Sequence, residues 1–245
     1  MTVKQAISPG TASRANGAGV MPHTSPSKRL RQHLQEEGVR VQRARHEFLF
    51  VEGRAADAIY FLNDGIVAIT NTGDGGHREI YGFIFGPAFI IPPVGPDHIA
   101  HHSAECLSNV DLHVMSRLTL DRIVEVEPEV GIAVQHELSR AVRMAHNSLS
   151  NLLSHHGMER VAFILSSLQE TAERARGTQA TGTDTKVDDW IAITQLDLSA
   201  AIGMTPVYLN QILKKMKQSR LIELKSGKIR VLDNSEIKRC INKQI

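Results

Sequence analysis

Residues 194–233, TQLDLSAAIGMTPVYLNQILKKMKQSRLIELKSGKIRVLD, decide how this chain is read. Thr194 is a good N-cap, and Asp197 three residues later suits the first turn of a helix, where unpaired N–H groups favour a carboxylate. Leu198, Ala201 and Ile202 give that helix an apolar face, and small Ser199 permits a second helix to cross closely. Gly203 ends it as a left-handed C-terminal residue would. Thr205 then caps a second helix, with Pro206 at the first position, where the missing N–H costs nothing. Helix, glycine turn and capped helix at this spacing make a helix-turn-helix. LIEL and KIRVL follow, flanking Lys225-Ser226-Gly227-Lys228 as a hairpin in the position of a basic wing.

Phase in the second helix separates core from surface. Leu209, Ile212, Leu213 and Met216 stand at i, i+3, i+4 and i+7 and face inward. The opposite side centres on Val207, Gln211, Lys214 and Gln218, flanked by Tyr208, Asn210 and Lys215. Gln and Asn suit bidentate contact with adenine, Val meets a thymine methyl, and Lys suits guanine or phosphate. Val207, Tyr208, Asn210, Gln211 and Lys214 are therefore the candidate base contacts. Thr194, Thr205, Lys215, Gln218, Lys225 and Lys228 are the candidate phosphate contacts. The competing reading is an adaptor whose winged helix touches protein.

Charge along the chain favours DNA. The sequence of 245 residues has a formal net charge of only +2, but residues 44–133 carry 5 Lys/Arg against 13 Asp/Glu and residues 203–245 carry 10 against 3. Halves of opposite sign have different partners, the basic one a polyanion. No apolar run reaches the roughly 18–20 residues of a membrane span. The N-terminus lacks the apolar stretch of a secretory signal, so a cytoplasmic protein is expected. Two cysteines, Cys106 and Cys240, with no CxxC partner, exclude a disulfide scaffold and a zinc finger.

Working back towards the N-terminus, the texture changes twice. Val134, Leu138, Ala141, Ala145, Ser148, Leu152 and His155 form one narrow stripe, small at its centre, as in a coiled-coil seam. The simplest partner for it is a second copy of the chain. Gly157 breaks this helix, another follows from about Met158 to Arg176, and a Gly/Thr-rich linker leads to a short strand, Trp190 to Ile193. From Phe48 to Arg117, short apolar runs are split by Gly, Pro, Asn and Asp, which reads as an antiparallel barrel or sandwich. Asn63-Asp64-Gly65 and Gly73-Asp74-Gly75-Gly76 read as its hairpin turns. The expected fold class is α+β, with residues 1–27 a disordered arm and 28–127 a jelly-roll-like β-barrel opening on a short helix from Lys28 to Gly38. Residues 128–156 are the dimerisation helix and 157–245 the winged helix-turn-helix.

On these features, over about residues 45–235, the chain resembles the Crp/Fnr family of bacterial transcription regulators. FLFVEGRAADAIYFLNDGIVAI looks like the family's first strands, with Gly53 and Gly65 at two recurrent glycines, and Phe85-Gly86-Pro87 resembles the approach to its nucleotide pocket. The resemblance implies a homodimer on a pseudo-palindromic site in double-stranded DNA, with RNA polymerase a further partner and no enzymatic activity. Val207 and Gln211 replace the Glu and Arg that members often carry, so the usual consensus half-site is not assumed. Nucleotide-binding members carry a Gly-Glu pair and, further on, an Arg-Ser or Arg-Thr pair. Here these fall on about Ile91-Pro92 and Ala100-His101, and a shift of register offers only His101 or His102. A neutral His gives one donor where Arg gives a cationic fork. Ile91, Pro92, His101, His102 and Ser103 are thus a candidate effector pocket without the chemistry for cyclic AMP, and no effector is named by the residues.

No cofactor is expected. His98, His101, His102, Cys106 and His113 cluster in sequence, but H-x2-H-H-x3-C is not an established zinc spacing, and strand alternation sends neighbours to opposite faces. Two cysteines are too few for an iron–sulfur cluster held by four thiolates. Gln135-His136-Glu137 lacks the second His of a zincin, and Gly73-Asp74-Gly75-Gly76 lacks the Lys of a P-loop. Glu52 and Asp57 read as surface charges on turn-rich segments rather than a catalytic pair.

Overall fold

Eight short strands pair into two four-stranded antiparallel sheets in the computed structural model, which describes residues 26–73, 76–154, 157–179 and 189–242. They are β1 (Val39–Arg43), β2 (Phe48–Phe50), β3 (Ala58–Asp64), β4 (Ile66–Thr72), β5 (Arg78–Phe85), β6 (Ala88–Ile90), β7 (Ser103–Cys106) and β8 (Val110–Ser116). The orders β1-β8-β3-β6 and β2-β7-β4-β5 are those of an open jelly roll. Asn63-Asp64-Gly65 is not the hairpin its composition suggested, because β3 and β4 belong to different sheets. The chain turns the corner between them at Gly65, with φ +106°, where a Cβ would stand 2.7 Å from the Asn109 carbonyl oxygen. β4 and β5 pair with Thr72 opposite Arg78, and the Gly76 N–H donates to the Gly73 carbonyl at 3.0 Å, while Asp74 and Gly75 of the expected turn lie outside the described residues.

The sheet containing β4 and β5 is apolar on both faces. Val67, Ala104 and Cys106 point between the sheets and pack with Phe50, Leu62 and Leu112. Ile66, Ala68, Ile80, Phe83, Phe85 and Leu107 point outward, into a second cluster that holds the apolar residues of the C-terminal helices. A strand buried on both sides loses the alternation expected of a half-exposed one.

Helix α1 (Pro26–Glu36) buries Leu30 and Leu34 against Ile59, Phe61, Leu120 and Val130. It starts two residues inside the segment expected to be an arm, and the rest of that segment lies outside the described residues. Gly38 follows its end where a Cβ would meet the Leu34 carbonyl oxygen at 2.3 Å. After β8 come α2 (Arg117–Val126), capped by Ser116, and the 27-residue α3 (Pro128–Ser154). The residues of the expected seam on α3 differ in burial. Val134 packs against the barrel cluster, whereas Leu138, Ala141, Val142, Ala145 and Leu149 are exposed. The side chains of Ser148 and Leu152, and His155 altogether, lie outside the described residues.

The C-terminal unit is α4 (Met158–Gln179), α5 (Gln195–Ile202), α6 (Pro206–Gln218), the hairpin β9 (Ile222–Lys225) and β10 (Lys228–Val231), and α7 (Asn234–Asn242). The strand expected at Trp190–Ile193 contracts to one bridge, Ile191 opposite Ile229, on the edge of the wing. Most of the expected linker lies outside the described residues. Lys238 of α7 pairs with Glu170 of α4 at 2.8 Å.

Candidate nucleic-acid interface

Local sequence accounts for the shape of the helix-turn-helix. Thr194 accepts from the Asp197 N–H at 3.1 Å, and Asp197 accepts from the Thr194 N–H at 3.0 Å, a complete capping box. Gly203 closes α5 in the left-handed region at φ 68°, ψ 40°. The Ser199 hydroxyl donates to the Met204 carbonyl across the turn. Thr205 caps α6 by accepting from the Tyr208 N–H at 3.3 Å, with Pro206 at the first position.

Leu209, Ile212, Leu213 and Met216 are buried, and Val207, Asn210, Gln211, Lys214, Lys215 and Gln218 are exposed, as the phase requires. Tyr208 differs from its neighbours. It is half-exposed, and its hydroxyl lies over Gly157, between α3 and α4, rather than on the open face of α6.

The wing turn has Ser226 at φ 46° and Gly227 at φ 72°, two successive left-handed residues that give the twist of a tight hairpin. It presents exposed Lys225 and Lys228. A cleft of about 380 Å³ separates the wing from the start of α5, lined by Thr194, Gln195, Leu196, Lys225 and Lys228 among others. Helix N–H groups and two ammonium groups at one cleft suit a phosphate. The outer faces of α6, the cleft and the wing thus carry the candidate base and phosphate contacts other than Tyr208.

The segments expected to form an effector pocket do meet, but the Pro92 carbonyl, the His101 N–H and the Ser103 hydroxyl there are bonded within the protein itself. The His101 N–H donates to the Pro93 carbonyl at 3.5 Å, and Val94 bridges Ala100. Pro92 is buried and its carbonyl accepts from Arg117 Nη2 at 2.6 Å, while Arg117 Nε donates to the Ala56 carbonyl at 3.4 Å. Ser103 is buried with its hydroxyl oxygen accepting from the Glu52 N–H at 3.0 Å. Ile91 packs against the α1–α3 cluster, and His101 is exposed. His102 is half-buried near Phe50, and burial, then the neighbouring His101, hold its pKa below the ordinary histidine value. Arg117 was not singled out from the sequence, because its partners are backbone carbonyls, which leave no mark there.

The remaining histidines and cysteines go separate ways. His98 lies 3.0 Å from Asp57, and His113 meets the Asn63 amide at 3.0 Å. Burial, reinforced by Glu47, pushes the Cys106 thiol up to about 11, which makes it unreactive. Among the described residues no three His, Cys, Asp or Glu side chains stand close enough to hold a metal ion.

Known proteins resemble the chain on both its parts. Residues 159–240 match the Crp-like helix-turn-helix domain. The chain is 24% identical over 187 residues to the transcriptional activatory protein AadR of Rhodopseudomonas palustris, covering 76% of this chain and 74% of that protein. It is 23% identical over 188 residues to the transcriptional activator protein Anr of Pseudomonas protegens, with the same coverage. The fold is similar to that of FixK2 from Bradyrhizobium japonicum, with a TM-score of 0.70 and 16% identity over 83% of this chain and 96% of that one.

Proposed function

From the premise that this chain is a DNA-binding transcription regulator of the Crp/Fnr family, we propose that it reads a pseudo-palindromic operator as a homodimer and does so without cyclic AMP. The observation that carries the reading is the split of α6, with four apolar side chains buried and Val207, Asn210, Gln211 and Lys214 exposed on its open face. The N-terminal half of such a helix enters the major groove and reads base edges. Thr205, Lys215, Gln218, Lys225 and Lys228 surround it and hold phosphates, which fixes register; Thr194 lines the same cleft, but both its donors are committed to Asp197. A winged helix used only for protein contact needs no such polar, basic margin.

The dimer forms along α3. Leu138, Val142, Ala145 and Leu149 follow one another at steps of four, three and four, with Ala141 beside them, and all are exposed. That line runs for roughly 16 Å at the helical rise. Two half-sites about 34 Å apart then receive the two recognition helices. A regulator that reads DNA works where the DNA is, so we place the dimer in the cytoplasm, where RNA polymerase is its next partner.

Arg117 supports independence from cyclic nucleotide. A cyclic phosphate needs a cation facing the pocket, and this guanidinium is already bound to the Pro92 and Ala56 carbonyls. Two titrations test the proposal. Fluorescence anisotropy with duplex DNA at rising salt should show affinity falling steeply, because Lys contacts release counterions. Calorimetry with cyclic AMP or cyclic GMP should give no low-micromolar binding. DNA affinity indifferent to salt would overturn the interface, and tight nucleotide binding that governs DNA affinity would overturn the independence.

A further inference from the structure

Helix α5 is held from outside its own domain. The Asp197 side chain is 4% exposed. It accepts from the Thr194 backbone at 3.0 Å, from the Thr194 hydroxyl at 2.7 Å and from Arg78 Nη1 at 2.8 Å. Arg45 stands 3.9 Å away. Arg78 belongs to β5 of the barrel, 119 positions earlier. Its Nε donates to Glu105 of β7 at 2.8 Å, and Glu105 also meets His46 at 2.9 Å. The third nitrogen, Nη2, is buried with no hydrogen-bond partner, although the side chain as a whole is 33% exposed. Ile80 and Phe83 of the barrel continue there into Leu198 and Ile202 of α5 as one apolar cluster.

We propose that Arg78 is a positioning residue for DNA binding: by joining Glu105 of the barrel to Asp197 in the first turn of α5, it sets the angle at which α6 meets the groove. The apolar contact alone is not directional. A guanidinium forked between two carboxylates is, because each N–H has a fixed direction. An operator with two half-sites accepts one separation and orientation of the recognition helices. A domain that samples several orientations pays for ordering at each binding event, and the apparent affinity falls by the competent fraction. Binding to arbitrary sequence rests on charge and is insensitive to that angle. Arg78 therefore acts on specific binding alone, and it rests on the reading of α6 as the DNA-contacting helix.

The test uses the full chain and a duplex selected by the wild-type protein from a randomised library, beside a scrambled duplex of equal length. The selected duplex is also made with its half-sites one base pair closer and one base pair further apart. Arg78→Ala should weaken the selected duplex about 5- to 150-fold, the range of coupling between distinct sites, and leave the scrambled duplex unchanged. Its preference among the three spacings should flatten, while base preference within each half-site stays as in the wild type. Arg78→Lys, which keeps the charge and loses the fork, should fall between; it keeps the test open if the alanine variant does not fold. Equal losses on both duplexes, retained spacing preference or tighter binding by the variants would overturn the proposal. A wild-type protein that binds neither duplex would overturn the DNA-binding reading instead.

Discussion

Tyr208 closes over Gly157: a Cβ added to the glycine would stand 2.8 Å from the tyrosine hydroxyl oxygen. The first turn of the recognition helix therefore packs on the break between α3 and α4. Gly157 is also at φ +47°, in the left-handed region. Gly157→Ala combines that backbone cost, about 1–2 kcal/mol, with displacement of the tyrosine. We expect a lower melting temperature and weaker DNA binding. In a Tyr208→Ala background the same change should cost less, because only the backbone term remains, and thermal unfolding of the double-mutant cycle measures the difference.

Gln211 and Lys228 should differ in kind. Gln211→Ala should cost about 1–3 kcal/mol on the selected site and relax preference at one base step per half-site. Lys228→Ala should weaken all sequences alike and lower the salt slope by about one contact per subunit. Binding measured on a panel of singly substituted duplexes at three salt concentrations distinguishes them. An unchanged panel for Gln211→Ala would mean that another face of α6 enters the groove.

Ala145 lies in the middle of the exposed line on α3. Ala145→Arg should bring a charge from each copy into the seam, where desolvation and like-charge repulsion both oppose pairing. Light scattering should give the mass of one chain, and specific DNA affinity should be lost with it. A variant that remains fully dimeric would place the seam elsewhere.

The recognition helix was legible because its determinants are local. Thr194, Gly203, Thr205 and Pro206 act within a few residues of themselves, and about 200° of helical phase separates Leu209 from Gln211. The jelly roll was legible as a class from its turn residues, but not in its pairing. Gly65 serves a corner between sheets as well as it would serve a hairpin, and Val67 and Ala68 are both apolar because each meets a different core. On α3, Val134 had the spacing of the seam and packs on the barrel instead. Arg78 and Asp197 are 119 positions apart, and nothing near either residue in the sequence points to the other.

Asp197 gives the interface a dependence on acid. Burial alone would raise its carboxyl pKa, but hydrogen bonds from the Thr194 side chain, Arg78 and the Thr194 backbone outweigh that and hold it below the ordinary carboxylate range. A folded-state pKa below the unfolded one gives stability that is present above the unfolded value, about 3.9, and is lost as pH falls through the folded one. Asp197→Asn removes the carboxylate charge that faces Arg78, which keeps Glu105, and should destabilise by about 1–3 kcal/mol at pH 7. The gap from the wild type should narrow as pH falls below about 3.9, where the carboxyl of the unfolded chain protonates first, and close once the folded carboxyl protonates as well. Denaturant unfolding of both proteins across that range checks it. A gap independent of pH would show that the charge of Asp197 contributes nothing.

The outward face of β4 and β5 has a consequence for how such a protein can be taken apart. Ile66, Ala68, Phe83 and Phe85 are covered by the same cluster that holds Val161, Leu198 and Ile202. A chain cut after α3 would turn those side chains toward water, as a sticky patch on an otherwise acidic barrel. The barrel is therefore not an interchangeable cassette. Grafting it onto another DNA-reading unit would require the recipient helices to match its outer face, or that face to be rewritten in polar residues.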